Sequence, residues 1–387
     1  MAQAIVVIHL YPSLTVSADG AAAVVRSLVR EQLRLRLDVY FGCNQIDSVD
    51  QLNQMRLTWS DVMRSAYFWG KSGIKSRFGI KDYHSPKVIH VHGLWDPKVL
   101  LLSLFLRNKG DVCVHSTHGM MSSFSFNYKR LKKICFHYLF QSPIIKKYEI
   151  HVANSEYELS DLSLNFPSSA LIAIPNGVDQ VPQSFHLSSQ RSNILYFGRL
   201  HPKKNVHVLV AGFGLAQRAV PNLALHIVGE GDPKYTSDLQ EFIIKNGIQN
   251  VTFAPAVDYE RRFYVFQNAL VTALPSENEN FGIVVAESLA CGVPVIVSAN
   301  MPWDDVVTRG CGWIVDTTPE SISDTLVKIS QKSKDELSVM GRVGAEWIRN
   351  EFAWQNINHQ TVKVYCDLLG NAAGGDVLPD VSSEHKP

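Results

Sequence analysis

The part of the chain with most to offer chemistry is Leu274 to Val297, LPSENENFGIVVAESLACGVPVIV. It reads as strand end, polar loop, helix, tight turn and strand. Glu279 stands in the loop and Glu287 on the helix, and Asn280-Phe281-Gly282 supplies a flexible backbone where the helix should begin. A helix N-terminus presents unpaired N–H groups and a partial positive charge, which suits a phosphate. The two carboxylates do not read as a hydrolytic pair. Eight residues of helix rise about 12 Å, whereas the paired carboxylates of retaining glycosidases sit about 5 Å apart. Without its setting, the pair reads equally well as one surface and one capping glutamate.

The setting is Tyr196-Phe197-Gly198-Arg199-Leu200-His201-Pro202-Lys203-Lys204-Asn205, which leaves a strand, turns at Gly198, and puts Arg199 and Lys204 on the following loop and helix start. Ligands of doubly wound sheets bind at the carboxyl ends of the strands, so both cations are expected beside Glu279. Arginine grips phosphate oxygens in pairs while lysine adds a point charge, an arrangement that fits a diphosphate. Gly229, Glu230 and Gly231 end another strand, where small residues would let a base or ribose approach the backbone; a plain turn explains them equally well. Asp19-Gly20-Ala21 opens a helix after the first strand, with Gly20 a further place for a phosphate or sugar.

Two histidine groups end strands on the ligand side, His90-Val91-His92 and His115-Ser116-Thr117-His118. No Cys, Asp or Glu joins them at metal spacing. His90 and His92 read better as satisfied core histidines, and His118 as the member that reaches the site to donate to a sugar hydroxyl. The chain contains no Asp-x-Asp, so a metal-bridged nucleotide is disfavoured and fixed cations would take the metal's place.

These residues need strand ends to carry them. Short β-branched runs alternate with helical stretches twice along the 387 residues, the pattern of two α/β domains with mostly parallel sheets. Strands are expected at Ala4–Leu10, Val88–His92, Val112–Ser116 and Ile150–Asn154, then at Asn193–Phe197, Leu223–Val228, Val251–Phe253, Ala269–Leu274 and Val293–Val297. The expected division is a first domain over 1–180, a linker over 181–192, a second domain over 193–353, an amphipathic helix over 354–370 and a disordered tail over 371–387.

Net charge is +1, from 37 Lys and Arg against 36 Asp and Glu, which removes a general nucleic-acid binder from consideration. The total conceals a basic first half and an acidic second half. Six cysteines without a C-x-x-C pair suggest no zinc knuckle or disulfide framework, and a reducing, cytoplasmic setting is expected. Apolar runs are too short to span a bilayer. Residues 127–148, NYKRLKKICFHYLFQSPIIKKY, interleave basic with aromatic residues, a helix expected to break at Pro143. Such a face rests on anionic lipid or is simply solvated.

At these residues the chain resembles the retaining nucleotide-sugar glycosyltransferases of the GT-B fold, specifically family four (glycosyl transferases group 1), of bacterial surface-polysaccharide type. The resemblance lies in Gly198, Arg199, Leu200 and Lys204; in Glu279, Phe281, Gly282 and Glu287; in the turn Cys291-Gly292-Val293-Pro294-Val295; in Pro175-Asn176-Gly177-Val178-Asp179; and in the Trp354 helix, which in the family returns to the first domain. Pro302-Trp303 with Cys311-Gly312-Trp313 resembles a subgroup tied to surface polysaccharides. The first loop departs from the family, with Gly20-Ala21 where two glycines are common.

The resemblance implies two doubly wound Rossmann-like domains facing a central cleft, the first for acceptor and the second for donor. It implies transfer of a hexose, with retention, from a nucleoside-diphosphate sugar such as GDP-mannose or a UDP-hexose to a hydroxyl of an acceptor glycan. That glycan is expected to be linked to a polyprenyl diphosphate at the inner face of the cytoplasmic membrane, without a metal. Arg199 and Lys204 would neutralise the diphosphate and Glu287 would hold the ribose. Glu279 with Asn280, Phe281 and Gly282 would hold the sugar and its phosphate, and His118 would contact the sugar near the reacting carbon. A nucleotide-sugar epimerase of the same fold and a non-catalytic sugar-binding partner are the rival readings.

Overall fold

The computed structural model describes residues 5–14, 20–43, 45–46, 54–56, 86–121 and 134–373. The chain forms two compact units, Met1–Gly177 with Trp354–Pro387, and Val178–Ala353. The strands of the first are β1 (Val6–Leu10), β2 (Ser13–Leu14), β3 (Asp38–Cys43), β4 (Gln45–Ile46), β5 (Gln54–Arg56), β6 (Val88–His92), β7 (Val112–Ser116), β8 (Ile150–Ala153) and β9 (Ala170–Ala173). Those of the second are β10 (Asn193–Phe197), β11 (Ala224–Val228), β12 (Val251–Ala254), β13 (Ala269–Leu274), β14 (Val295–Ser298) and β15 (Gly312–Val315). Among the described residues the α-helices of eight residues or more are α1 (Gly20–Arg34), α2 (Pro97–Leu106), α3 (Glu156–Asn165), α4 (Val206–Ala219), α5 (Pro233–Lys245), α6 (Ile283–Ala290), α7 (Pro319–Ser330), α8 (Lys334–Glu351) and α9 (Trp354–Ala373), and a 3-10 helix covers Tyr259–Phe266.

Both main sheets are parallel. The first runs β5-β3-β1-β6-β7-β8-β9 and the second β12-β11-β10-β13-β14-β15. In each, the first strand of the unit is central and the order reverses beside it, which defines the switch point where such sheets take ligands. Strands covered by helices on both faces are expected to be continuous apolar runs, and β1, β6 and β7 are buried throughout. Their histidines are therefore core residues by position. Alternation of side chains puts His9, His90 and His92 on the face of Val7 and Val88, which pack with Trp354, Ile357 and Tyr365 of α9. It puts His115 and His151 on the opposite face, that of Cys113 and Phe166.

Several expectations need correction. The stretch 181–192 is not a free linker: Val181, Phe185 and Leu187 pack on Phe263, Phe266 and Val293, so three apolar side chains dock it onto the second unit. α9 runs past 370 to Ala373, since alanine is the best helix former; residues 374–387 lie outside the described residues. The helix does not break at Pro143. The backbone stays helical through it: the turn before it, His137–Gln141, is a wide π turn, and Ser142–Ile145 continues from it as an α-helical turn with Pro143 at its start, the change of hydrogen-bond pattern falling where the proline lacks an N–H. Residues 127–133 lie outside the described residues.

Candidate active site

In the second unit, the loops that follow the adjacent strands β10 and β13 are tied together. Glu277 N donates to the Lys203 carbonyl at 2.8 Å, and the Asn205 amide donates to the Pro275 carbonyl at 3.0 Å. Across this seam Lys204 Nζ pairs with Glu279, which also accepts from the Ser276 hydroxyl at 2.7 Å. The pair is partly buried, with side chains 26% and 13% exposed. Lys203 stands beside it, its pKa lowered chiefly by burial. Arg199 is exposed and forms no ion pair among the described residues. The structure thus brings Lys204 and Glu279 together and leaves the Arg199 guanidinium in solvent.

Gly282 is the N-cap of α6, with φ of 79° and no side chain closing the helix end. The preceding Phe281 is buried against Trp303 and Phe352, and the Trp303 indole N–H donates to the Phe281 carbonyl. Trp303, singled out above only as part of a resemblance, is therefore the anchor that fixes the loop Glu279-Asn280-Phe281-Gly282. Asn280 lies half-buried at the turn between them.

Glu287, on α6, answers to different partners. Arg262 Nε donates to it at 2.6 Å, while Arg262 Nη2 donates to Asp179 at 2.8 Å and the Tyr259 hydroxyl donates to the same Asp179 oxygen at 2.8 Å. Burial raises the Glu287 pKa to about 7 against the pull of Arg262. Sequence reasoning missed Arg262, Tyr259 and the partner role of Asp179. Their signal was faint: Asp179 closes a quoted motif, but Arg262 lies in an unremarkable turn over Tyr259–Phe266.

The glycines at 229 and 231 have a structural cause. A Cβ at Gly229, whose φ is 141°, would lie 2.0 Å from the Gly198 carbonyl oxygen, and one at Gly231 would lie 1.8 Å from that of Leu200. Leu200 N donates to the Glu230 carbonyl at 2.9 Å. It is the neighbouring Gly198–Leu200 backbone, rather than a ligand, that demands them. The Glu230 side chain is exposed.

In the first unit Gly20 opens α1 and is exposed; Asp19 lies outside the described residues. His118 follows β7 with φ of 50° and is half-buried. Its Nε2 meets His92 Nδ1 at 3.0 Å and its Nδ1 meets the Asn154 side-chain oxygen at 3.1 Å. The buried Glu158 carboxylate holds this corner by accepting from the Thr117 hydroxyl, Gly119 N and Asn154 N. Behind it, His92 Nε2 meets His9 Nδ1 at 2.8 Å and His9 Nε2 meets the Gln32 amide at 2.7 Å. His90 lies between the Tyr365 hydroxyl at 2.6 Å and the Ser116 hydroxyl at 2.8 Å. His90 and His92 are satisfied core histidines, as their sequence setting suggests. The ligand atoms of His9, His90 and His92 lie within 4.8 Å of one another, but all six nitrogens already have partners. The His90 and His92 rings also stack 3.9 Å apart at 28°, so their lone pairs do not converge as a metal requires.

Residues 18–180 match the profile described as Glycosyltransferase Family 4, and residues 179–346 that described as Glycosyl transferases group 1. A D-inositol 3-phosphate glycosyltransferase of Thermomonospora curvata is 30% identical over 234 residues, 57% of this chain and 53% of the relative. The chain thus spans about half the length of that relative. Among solved structures, sucrose-phosphate synthase from Thermosynechococcus elongatus superposes with a TM-score of 0.73 at 19% identity, over 95% of this chain and 100% of the other. Anabaena HepE in complex with UDP and glucose gives a TM-score of 0.67 at 16% identity, over 92% and 98%. These likenesses show the GT-B fold, two parallel-sheet α/β domains.

Proposed function

We propose, since this chain belongs to the family 4 glycosyltransferases (glycosyl transferases group 1), that it moves a hexose from a nucleoside-diphosphate sugar to a hydroxyl of an acceptor glycan with retention. The observation that carries this reading is the pair of loops on the adjacent strands β10 and β13. They put Lys204 at the sheet's switch point, next to Glu279 and the uncapped N-terminus of α6. Arg199 follows β10 on the same loop and is free to turn onto a phosphate. The donor is proposed to be a UDP-hexose or GDP-mannose; the HepE structure, of the same fold, holds UDP and glucose.

In this reaction the bond between the anomeric carbon and the β-phosphate oxygen breaks as the acceptor oxygen bonds to the same face. The acceptor's proton passes to the leaving phosphate. Negative charge grows on that phosphate, so the chief demand is for fixed positive charge and N–H dipoles, which Arg199, Lys204 and the α6 terminus supply without a metal. Glu287 is proposed to hold the ribose hydroxyls, Glu279 with the backbone at Asn280–Gly282 the sugar and its phosphate, and His118 the sugar.

The acceptor is proposed to be a lipid-linked glycan of surface-polysaccharide synthesis, met at the cytoplasmic membrane. Support comes from the exposed Tyr138, Leu139 and Phe140, 67%, 69% and 62% accessible, with Lys146 and Lys147 exposed nearby. No helix among the described residues is long and apolar enough to cross a membrane.

The test is turnover of a panel of UDP- and GDP-hexoses with lipid-linked acceptors. Arg199→Ala and Lys204→Ala are expected to lower kcat by about 10²- to 10³-fold, the cost of removing one preorganised charge-stabilising donor, with unfolding midpoints unchanged. Near-normal turnover by either variant overturns the assignment.

A further inference from the structure

The imidazoles behind His118 form a chain of close nitrogen–nitrogen contacts, and the groups at its ends decide which way its hydrogens run. Asn154 sets the direction. Its amide nitrogen donates to the Ile174 carbonyl at 3.1 Å, which only accepts, so its oxygen faces His118 Nδ1 and that nitrogen carries the hydrogen. A neutral His118 then has a lone pair on Nε2, and His92 Nδ1–H must donate to it across 3.0 Å. His92 and His9 are fully buried and kept neutral, because burial lowers the pKa of both. With one hydrogen per ring, His92 Nε2 accepts from His9 Nδ1–H at 2.8 Å, which leaves a lone pair on His9 Nε2, 2.7 Å from the atom placed as the Gln32 side-chain oxygen.

As placed, the Gln32 nitrogen donates to the Tyr365 hydroxyl at 3.3 Å; the two ends of this amide exchange by a half-turn, and so turned its nitrogen donates to His9 Nε2 and its oxygen accepts from the Tyr365 hydroxyl. Tyr365 in turn accepts from His90 Nδ1–H, and His90 Nε2 accepts from the Ser116 hydroxyl. From Ser116 to Asn154 every nitrogen and oxygen in the chain is satisfied and no charge is buried. The opposite direction gives His118 two N–H groups and makes it an imidazolium within a stack of buried rings, with the Glu158 carboxylate already bound to three other donors. A fully satisfied neutral network is the cheaper arrangement in a low-dielectric interior.

We propose that His9 and His92 are positioning residues that hold His118 as its Nδ1–H tautomer with the Nε2 lone pair occupied. His118 then meets the sugar with the carbon edge or face of a fixed neutral ring: it has no N–H left to donate to a sugar hydroxyl, contrary to the expectation from sequence, and does not act as a general base. This rests on the reading that His118 contacts the donor sugar, but the chain itself is tested apart from it.

Long-range ¹H–¹⁵N spectra of the full chain labelled at histidine, at pH 7.5, are expected to show His9, His92 and His118 all protonated at Nδ1, the minority form of free imidazole. Protonation of any of the three at Nε2, or of His118 at both nitrogens, overturns the proposal. These signals report the chain whether or not the protein transfers a hexose. In His92→Phe, His118 is expected to gain Nε2–H signal, and kcat to fall about five- to tenfold at nearly constant donor KM, the loss of one positioning hydrogen bond. An unchanged His118 spectrum in a folded His92→Phe protein also refutes it. If that variant does not fold, the spectra of the unsubstituted protein decide.

Discussion

Acid should unfold the first unit well before the second. His9, His115 and His151 lie in β1, β7 and β8, and burial lowers their pKa values to about 4, 3 and 4. His90 and His92 are lowered by the same cause. In an unfolded chain an imidazole titrates near 6.5. Between that value and about 4 the unfolded state therefore binds protons that the folded state refuses, and stability falls as pH falls. At pH 5 each such histidine removes about 2 kcal/mol, so the three together remove about 6 kcal/mol, with a slope near 4 kcal/mol per pH unit. His90 and His92 add to this in the same sense. Whole domains are stable by about 5–15 kcal/mol, so the first unit should lose its fold between about pH 6 and 5. In the second unit His207 and His226 are lowered by burial but remain partly exposed, and its transition should move little.

Hydrogen exchange read by mass spectrometry, corrected for intrinsic rates, separates the units. Peptides over β1, β6 and β7 should lose protection from pH 7.5 to 5 while those over β10 and β13 keep theirs. His151→Phe gives the internal control. His151 stacks on Phe166 at 4.4 Å, and its Nε2 has no hydrogen-bond partner among the described residues. A phenylalanine there should fold at pH 7.5 and reduce the slope by about 1.4 kcal/mol per pH unit. Equal protection of the first unit at pH 7.5 and 5 would refute the reasoning, because it would mean that these rings take up protons without leaving the core.

Two further outcomes are expected. Arg262→Met should strand the buried Glu287 and cost about 3–5 kcal/mol in the second unit, the usual result of breaking a buried ion pair; urea unfolding followed by the fluorescence of Trp303, Trp313 and Trp347 reads it, and a loss below about 1 kcal/mol would count against the pairing. Replacing Tyr138, Leu139 and Phe140 together by serine should abolish co-sedimentation with vesicles rich in anionic lipid and leave turnover of a soluble acceptor intact. Equal sedimentation of both proteins would remove the membrane reading.

Much of the second unit was legible in the sequence. β10 and β13 fall where alternation of apolar runs puts them, because strands of four to six residues buried on both faces have no other way to appear. β3, β9 and β15 were not singled out: Asp38–Cys43 and Gly312–Val315 carry glycine within the strand, and Ala170–Ala173 is an edge strand only partly buried. Of the site, the residues proposed to meet a diphosphate could be named from spacing, but their partners in the fold could not. Lys204 with Glu279 and Arg262 with Glu287 and Asp179 are pairs 75, 25 and 83 residues apart, and a single sequence carries no trace of such contacts. Gly229 and Gly231 show the reverse. Their presence was plain, and the cause, a carbonyl of the next strand's loop, needed coordinates.

Those long-range pairs change how the donor is expected to bind. Lys204 is paired with the carboxylate proposed for the sugar, so a diphosphate is not expected simply to add to a waiting cation. It must take Lys204 from Glu279, and that exchange frees Glu279 for a sugar hydroxyl. An exposed ion pair contributes little, and this one is partly buried, so the exchange trades one carboxylate partner for a doubly charged one at modest cost. The anion thereby prepares the sugar's own contact. Nucleoside diphosphate alone should accordingly leave Glu279 without its lysine, whereas a neutral sugar alone meets a carboxylate already engaged by Lys204 and Ser276. Ordered in this way, the proposed site is expected to favour a sugar that arrives attached to a diphosphate over a free one, through Lys204 and Glu279 rather than through the unit's net charge.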